Sequence, residues 1–365
     1  MGENFNIVNF LKSAVATGAS DEHLKVGYPP YIRKNGFIKK TNMPVLTKED
    51  LDNAVLDIVP EAIEKDILSK CDVDFMYEIP GCSRFRVNYN RQLGFAGLVI
   101  RNIRYSIPQL DELGLPKILN SIVDQHNGII LVTGPTGSGK STTIASLINQ
   151  INITSQKHII TIEDPIEYVF NNKKSIVSQR QVGVDTASFS DGIKYALRQD
   201  PDVIFIGEIR DRDTMEAALK ASETGHLVLS TLHTNDAVQT INRIINMFEE
   251  SNRYLVRKQL AETLRATIAQ KLVYSAKDNK RYPACEIMVV TSTIKDYIFK
   301  DNTDEIYELL KDNTVDNMIS LNASLALLNN KGCISEEEAL ESSNDSAELE
   351  KLFRGVFQGS KAYYE

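Results

Sequence analysis

The segment GPTGSGKS, residues 134–141, limits the possible folds of this chain more than any other segment. Its glycines at 134 and 139 and the pair Lys140–Ser141 match the phosphate-loop pattern. The apolar run GIILVT precedes the segment and the helical pattern STTIASLINQI follows it, which is the context that the pattern requires. In such a loop the backbone N–H groups surround phosphates, and the N-terminus of the helix adds partial positive charge. The sequence therefore predicts a nucleoside triphosphate bound at the edge of an α/β sheet.

Every residue of this loop is a candidate contact for the nucleotide. Lys140 is predicted to reach the β- and γ-phosphates, and Ser141 is predicted to give a hydroxyl ligand to Mg²⁺. A glycine-rich turn without a ligand is the alternative, which the flanking strand and helix disfavour. The predicted contacts are Gly134, Pro135, Thr136, Gly137, Ser138, Gly139, Lys140, Ser141 and Thr142.

The catalytic acids are sought at the ends of two further apolar runs. In VIFIGE, Gly207 stands where many phosphate-loop enzymes have the magnesium aspartate, and Glu208 follows it. An acid must therefore come from elsewhere, and the run ITIEDPIE supplies candidates. We expect Glu163 to polarise the attacking water, and we expect Glu163 and Glu208 to bind Mg²⁺, partly through water. A solvated strand end is the alternative for Glu163 and Asp164, and for Glu167 the two interpretations stay open.

Two histidines flank the apolar run LVLSTL, with His226 before it and His233 after it. His233 follows Ser230 and Thr231 and is predicted to sense the γ-phosphate. His226 is a second candidate contact for the nucleotide. Hydrogen bonding within the core is the alternative for both histidines.

The arrangement of patterns along the chain predicts an N-terminal α+β domain at 1–106. NIVNFLKSAVATGA reads as a helix with one apolar face, and Thr47 and Asp50 resemble the capping box of a second helix. DVDFMYEIP and SRFRVNYNRQ read as strands joined by a turn at Pro80–Gly81. A linker at 107–116 is expected next, because prolines stand near both of its ends.

The remaining residues predict an α/β core at 117–290 and a helical region at 291–365. GIILVTG, KHIITIED, DVIFIGE and HLVLSTL are short, apolar and rich in β-branched residues, as strands of a helix-covered parallel sheet are.

Composition excludes several classes of protein. The net charge of −8 and the pI near 5.4 argue against broad binding to a nucleic-acid backbone, so no nucleic-acid partner is expected. No apolar run approaches the roughly 18–20 residues needed to cross a bilayer, and the N-terminus does not resemble a signal peptide. The four cysteines form no CxxC pair, so we expect reduced thiols, no zinc site and a cytoplasmic location.

Four blocks taken together resemble the secretion ATPase superfamily, whose members assemble into hexameric rings. GPTGSGKSTT, ITIEDPIEY, ALRQDPDVIFIGEIRD and TGHLVLSTLHTNDA look like its Walker A motif, aspartate box, Walker B motif and histidine box. ASDEHL, GYPPYIR and IPGCSRFRVN also fit, so the resemblance extends over most of residues 1–290. The best match is the PilT-like group of type IV pilus retraction motors. One departure is Thr293-Ile294-Lys295, where that group typically has Ala-Ile-Arg after a Glu-Ile-Met stretch.

The resemblance implies a PAS-like N-terminal domain joined to a RecA-like ATPase core, with ATP and Mg²⁺ between the two. It also implies that arginines of the N-terminal domain close on the nucleotide. Arg84 and Arg86 fit this role, because two residues spaced by two on a strand project to one face; an exposed face paired with nearby acids is the alternative. Further arginines with less defined roles are Arg101 and Arg104, which read equally as a solvated edge, and Arg198 and Arg210, which read as subunit bridges or as structural salt bridges.

The implied function is ATP-driven pilus retraction by a homohexamer at the inner face of the cytoplasmic membrane, where a membrane platform protein receives the force. Membrane association is expected through partners only. Two alternatives remain open. The first is a pilus assembly or type II-like secretion or export motor on the same fold, and the second is a non-catalytic ATP-binding regulator.

Overall fold

The structure is a computed structural model that describes residues 5–34, 36–103, 106–311 and 318–356 of the 365-residue chain. Contacts between residues divide the chain into two compact units, 1–106 and 107–365. Within the described ranges, no helix combines the length and the apolar character that a bilayer crossing requires.

The first unit is a six-stranded antiparallel sheet with helices packed against it. The strands follow the order β3-β2-β1-β6-β5-β4 across the sheet. Its elements are α1 (Ile7–Thr17), β1 (Asp21–Lys25), β2 (Tyr31–Lys34), β3 (Phe37–Lys40), α2 (Lys48–Ile58), α3 (Glu64–Ser69), β4 (Asp72–Ile79), β5 (Ser83–Gln92) and β6 (Phe95–Ile103).

The local patterns read from the sequence of this unit are confirmed. Helix α1 buries its apolar face, including Phe10 and Leu11, in the core of the unit. Helix α2 begins with a reciprocal capping box, in which the Asp50 N–H donates to Thr47 Oγ1 at 3.1 Å and the Thr47 N–H donates to the Asp50 carboxylate at 2.9 Å. Gly81, with φ of 73°, lies in the turn between β4 and β5.

The second unit contains a seven-stranded sheet in the order β13-β12-β7-β11-β10-β8-β9. All neighbouring strands are parallel except the pair β12 and β13. The strands are β7 (Gly128–Thr133), β8 (His158–Glu163), β9 (Ile176–Gln181), β10 (Val203–Ile206), β11 (Leu227–Leu232), β12 (Leu264–Ser275) and β13 (Lys280–Val289).

Helices cover both faces of this sheet. They are α4 (Ile118–Ile122), α5 (Lys140–Thr154), α6 (Phe189–Ala196), α7 (Arg212–Glu223), α8 (Ala237–Asn246), α9 (Glu250–Thr263), α10 (Ser292–Lys300), α11 (Asp304–Lys311), α12 (Leu321–Asn330), α13 (Glu336–Ser342) and α14 (Ser346–Lys351). Strands β7, β10 and β11 are buried along their whole length, as strands of a helix-covered parallel sheet must be. The predicted α/β fold class is confirmed.

Parallel pairing determines where the candidate site forms. Strands β7, β11, β10 and β8 all run in the same direction, so their carboxyl ends meet at one edge of the sheet. Residues 107–116, predicted as a linker, are packed in the second unit, where Leu110 and Leu115 are buried against residues of α5.

Candidate functional site

The loop after β7 is shaped by glycines that another side chain would obstruct. Gly134 and Gly139 have φ of 142° and 90°, values that favour glycine. A Cβ at Gly134 would overlap the Gln270 carbonyl oxygen, and one at Gly139 would lie 2.8 Å from Gln270 Nε2. These two glycines therefore allow the loop to lie directly against β12 while its tip, Pro135–Gly137, remains exposed.

Lys140 begins α5 and its ammonium group turns back into the loop. Its Nζ donates to the Gly134 carbonyl at 2.7 Å and to the Pro135 carbonyl at 2.9 Å. Burial lowers the pKa of Lys140, and the charges of Glu208 and Glu167 oppose this effect. The three charged groups therefore lie close enough to interact, and Lys140 is a partly desolvated cation at the mouth of the site.

Two buried hydroxyls around the loop have no hydrogen-bond partner among the described residues. They are Ser138 Oγ and Thr133 Oγ1. The predicted magnesium ligand Ser141 lies in the first turn of α5. Buried hydroxyls without partners are costly in a folded protein. They are the kind of oxygen donors and acceptors that phosphates, Mg²⁺ or ordered water satisfy. The last predicted loop residue, Thr142, instead shares a hydrogen bond of 2.9 Å with Tyr168.

Gln270 of β12 holds the loop in place through two hydrogen bonds. The sequence patterns do not predict this role. Gln270 Nε2 donates to the Ser138 carbonyl at 2.8 Å, while Gln270 Oε1 accepts from Thr143 Oγ1 at 2.7 Å. The side chain is almost fully buried. The one available signal was a polar residue within the apolar run ATIAQKLV, a pattern that predicts a buried hydrogen-bonding role.

Replacing Gln270 should loosen the loop. We expect Gln270→Leu to destabilise the fold by about 1–3 kcal/mol, because the Ser138 carbonyl and the Thr143 hydroxyl would be left unsatisfied. Nucleotide affinity should fall as well, since the loop would no longer be held in one conformation. Thermal unfolding and nucleotide titration measure the two effects. Gln259→Leu, which removes an exposed hydrogen bond to Glu223, is the matched control and should change neither quantity appreciably.

Glu163 is a buried carboxylate at the carboxyl end of β8. Its Oε1 accepts from Thr161 Oγ1 at 2.7 Å and from Gln179 Nε2 at 3.1 Å, and its Oε2 accepts from the Glu167 N–H at 3.4 Å. Only 6% of the residue is exposed. Burial raises the pKa of Glu163 to about 7, against the lowering effect of these hydrogen bonds. A carboxyl group that titrates near neutrality suits a proton acceptor.

Gly207 lies beside Glu163 at the same edge of the sheet. The register pairs Ile206 of β10 with Ile162 of β8, and a Cβ at Gly207 would lie 3.4 Å from Glu163 Cα. Gly207, the position in VIFIGE that lacks an acid, and Glu163, the acid of ITIEDPIE, are therefore neighbours. Asp164 and Glu167 are both exposed, unlike Glu163.

Glu208 joins the site through an ion pair with Arg210 and a contact with His233. Its carboxylate pairs with the Arg210 guanidinium, and its Oε2 lies 3.5 Å from His233 Nε2. The hydrogen bond from Arg210 to Glu208 also raises the pKa of Arg210. Arg210 therefore forms a structural salt bridge, which was one of the two predicted interpretations. Arg198, for which the same two interpretations were given, makes no ion pair with any described residue. The neighbouring Thr231 hydroxyl donates to the Gly207 carbonyl at 2.7 Å, which connects β11 to this group.

His226 is not brought to the loop, contrary to the prediction that it contacts the nucleotide. It precedes β11, and the register pairs Leu227 with Gly128, the first residue of β7. His226 therefore lies at the amino edge of the sheet, whereas the loop follows the carboxyl end of β7. Its Nδ1 lies 2.9 Å from the Ala221 carbonyl, the core hydrogen bond that the alternative interpretation predicted.

The N-terminal arginines lie on the sheet of the first unit. Arg86 of β5 is 3.8 Å from Asp74 of β4, while Arg84 is opposite Glu78 in the register of the same strands. This arrangement corresponds to the exposed face paired with acids that was the alternative to a phosphate clamp. Arg101 pairs with Asp21 at 2.9 Å. Arg104 lies outside the described residues.

The chain closely resembles several known proteins. A family model described as type II/IV secretion system protein matches residues 75–343. The type IV pilus retraction ATPase PilT of Pseudomonas aeruginosa is 41% identical over 336 residues, which are 92% of this chain and 97% of that protein. A twitching motility protein of Neisseria gonorrhoeae is 37% identical over 94% of this chain and 92% of its own length.

Solved structures agree with these sequence matches. The pilus retraction motor PilT with bound ADP has a TM-score of 0.89 and 43% identity, covering 95% of this chain and 99% of that one. The ATPase DotB of Legionella pneumophila has a TM-score of 0.81 and 28% identity, covering 94% and 97%. The resemblance predicted from the four sequence blocks is confirmed. The chain belongs to the secretion ATPase superfamily, in the family of type II/IV secretion system proteins that includes PilT.

Proposed function

We propose that this chain is an ATP-hydrolysing motor that powers the retraction of type IV pili. The observation that carries the ATPase part is the buried carboxylate Glu163 at the sheet edge where the phosphate loop begins. Retraction is supported by the similarity to PilT, which extends over nearly the whole length of both chains.

In the proposed reaction, water attacks the γ-phosphate of ATP in line with the leaving ADP. Glu163 accepts hydrogen bonds in the free protein and polarises the water when the nucleotide is bound. Lys140 leaves the loop carbonyls for the β- and γ-phosphates and stabilises the charge that develops on them. His233, held by Glu208, senses the γ-phosphate or its loss.

The residues present fit a magnesium ion that the nucleotide largely holds. The described residues contain no group of three or more His, Cys, Asp or Glu side chains that would bind a metal by themselves. Ser141 would give its hydroxyl, and Glu163 and Glu208 would act partly through water, while nucleotide oxygens would complete the shell. The ion would supply positive charge that offsets the phosphate charge.

Arg84 and Arg86 are proposed to close on the phosphates during turnover. Arg86 lies 3.8 Å from Asp74, and Arg84 is opposite Glu78; both acids are exposed residues of β4 that phosphate oxygens would replace as stronger, bidentate acceptors. We expect Arg84→Ala and Arg86→Ala each to lose turnover by about a hundredfold or more and to retain nucleotide binding. Phosphate release and nucleotide titration on the full chain measure this, and Arg91→Ala, at the end of the same strand, is the control. Turnover unchanged in both variants would refute the clamp.

The proposed assembly is a homohexameric ring at the cytoplasmic face of the membrane, acting on a membrane platform protein. Closing around ATP and reopening after phosphate release would convert hydrolysis into movement of the ring. The departure Thr293-Ile294-Lys295 lies in the first turn of α10, where Ile294 is buried and Lys295 pairs with Glu262 at 3.4 Å. Because this element differs from that of typical retraction motors, a pilus assembly or type II-like secretion motor is the second candidate.

A clean deletion scored for surface pili and twitching tests the proposed task. Loss of a retraction motor leaves pili that persist without twitching, whereas loss of an assembly motor leaves none. The non-catalytic regulator is tested separately on the purified protein, which would then release no more phosphate than the Lys140→Ala variant.

A further inference from the structure

The hairpin of β2 and β3 has a surface that the nucleotide site does not explain. Residues 25–48 contain six basic residues and no acidic one, although the whole chain has a net charge of −8. Four of the six belong to the two strands of the hairpin: Arg33, Lys34, Lys39 and Lys40. Arg33 lies 3.9 Å from Asp21 of β1, and the three lysines of the hairpin form a basic patch on an otherwise acidic protein.

Two large apolar side chains lie within this basic patch. Phe37 is 72% exposed and Ile38 is 53% exposed, and they begin β3 directly after the turn. Neither belongs to the core of the first unit. Lysines on an edge strand are a common means of preventing sheet-to-sheet association, but this explanation does not extend to an exposed phenylalanine beside an exposed isoleucine.

The register distributes these side chains over both faces of the hairpin. Lys34 pairs with Phe37, and Arg33 pairs with Ile38. Because neighbouring residues of a strand point to opposite faces, each face of the tip presents one apolar and one basic side chain. Strand β3 is also the outermost strand of the sheet, so nothing in the sheet covers its outer edge.

An apolar tip of this kind needs a partner that surrounds it. A flat protein surface would cover one face, whereas the interfacial region of a bilayer encloses both. Aromatic and aliphatic side chains enter the boundary of the acyl chains there, and lysine and arginine extend to the phosphates of the headgroups. An acidic protein is repelled by an anionic bilayer except where it presents such a basic patch.

We propose that the β2–β3 hairpin binds anionic lipid headgroups directly, with Phe37 and Ile38 inserted at the bilayer interface. This contact is independent of the nucleotide site and adds a direct membrane attachment to the association through partners. If the chain forms a ring, several hairpins would act together, and their combined attachment would be much stronger than that of one.

Vesicle flotation with the full chain tests this proposal. Vesicles of phosphatidylcholine alone are compared with vesicles containing about one third phosphatidylglycerol, whose negative charge attracts basic residues. Two variants remove the two components of the tip: Phe37→Ser with Ile38→Ser, and Lys34→Gln with Lys39→Gln. Leu93→Ser with Phe95→Ser is the matched control, because it removes exposed apolar side chains from another hairpin tip of the same unit.

We expect the unchanged chain and the control to bind the anionic vesicles at least tenfold more strongly than the neutral ones. Each hairpin variant should lose at least tenfold in binding, and salt at about 1 M should weaken the binding of the unchanged chain because it shortens the screening length to about 3 Å. Circular dichroism checks that the variants are folded. No binding to the anionic vesicles, or binding that the hairpin variants leave unchanged, would overturn the proposal. Loss of self-association in the hairpin variants with unchanged vesicle binding would also overturn it, in favour of contact with a second copy of the chain.

Discussion

Glu163→Gln is expected to lower ATP turnover by about 10²–10⁴-fold while ATP binding is retained. The amide has the shape of the carboxyl group and would keep the hydrogen bond from the Thr161 hydroxyl, but it cannot accept a proton from the attacking water. The phosphate loop is untouched by the change, so affinity should stay within a few-fold of the unchanged chain. Steady-state phosphate release and nucleotide titration measure the two quantities, and unchanged turnover would exclude Glu163 as the group that polarises the water.

The titration of Glu163 adds a pH dependence to this prediction. Its pKa of about 7 means that the free protein carries the protonated, inactive form below neutrality. The kcat/KM of the unchanged chain, which follows titration of the free protein, should therefore rise as the pH increases through about 7 and then level off, and this rise should be absent from the residual activity of Glu163→Gln. Asp164→Asn is the matched control, because it alters an exposed acid one residue away and should leave both turnover and its pH profile intact.

The same raised pKa predicts that loss of activity in Glu163→Gln does not arise from unfolding. The folded state holds a proton on Glu163 between its unfolded pKa near 4.5 and its folded value near 7, so the free energy of unfolding falls as the pH rises through this interval. Above pH 7 the unchanged chain contains a buried charge that the amide lacks. The variant should therefore be at least as stable as the unchanged chain at pH 8, as thermal unfolding would show.

Much of this site could be predicted from the sequence because it depends on short-range patterns. The phosphate loop needs only glycine positions and a flanking strand and helix, and strands β7, β8, β10 and β11 are apolar, β-branched runs. Gly207 leaves a position without an acid, which predicts a role for Glu163, and the structure brings these two residues together. Each of these inferences uses residues that are adjacent in sequence or strands whose ends must meet.

The features that sequence reasoning missed depend on pairing between distant segments. Strand β9, IVSQRQ, is an edge strand with half-exposed polar residues, so it lacks the apolar run that marked the other strands. Gln270 meets the loop only because β12 pairs with β7, whose sequence position is more than a hundred residues away. The error at His226 had a different cause. Residues before and after a parallel strand lie at opposite edges of the sheet, so the direction of β11 places His226 away from the loop.

Removal of the Lys140 side chain should have the largest effect of any single change in the loop. Its ammonium is partly desolvated, lies near Glu208 and Glu167, and satisfies two loop carbonyls in the free protein. Lys140→Ala removes the positive charge that ATP would meet and leaves the acids to repel its phosphates. We expect turnover to fall at least about a hundredfold and nucleotide affinity to weaken as well, in contrast to Glu163→Gln.

The comparison of these two variants separates binding from chemistry. Lys140→Ala should lose affinity and turnover together, because the Lys140 ammonium contacts the phosphates in the bound state. Glu163→Gln should lose turnover alone, because the Glu163 carboxylate acts on the attacking water. Lys174→Ala, an exposed lysine of the same unit, is the control for loss of one positive charge. Nucleotide titration and phosphate release on all three variants make the test complete. If Lys140→Ala bound ATP and hydrolysed it like the unchanged chain, the loop would not be the nucleotide site, and the proposed motor function would fail with it.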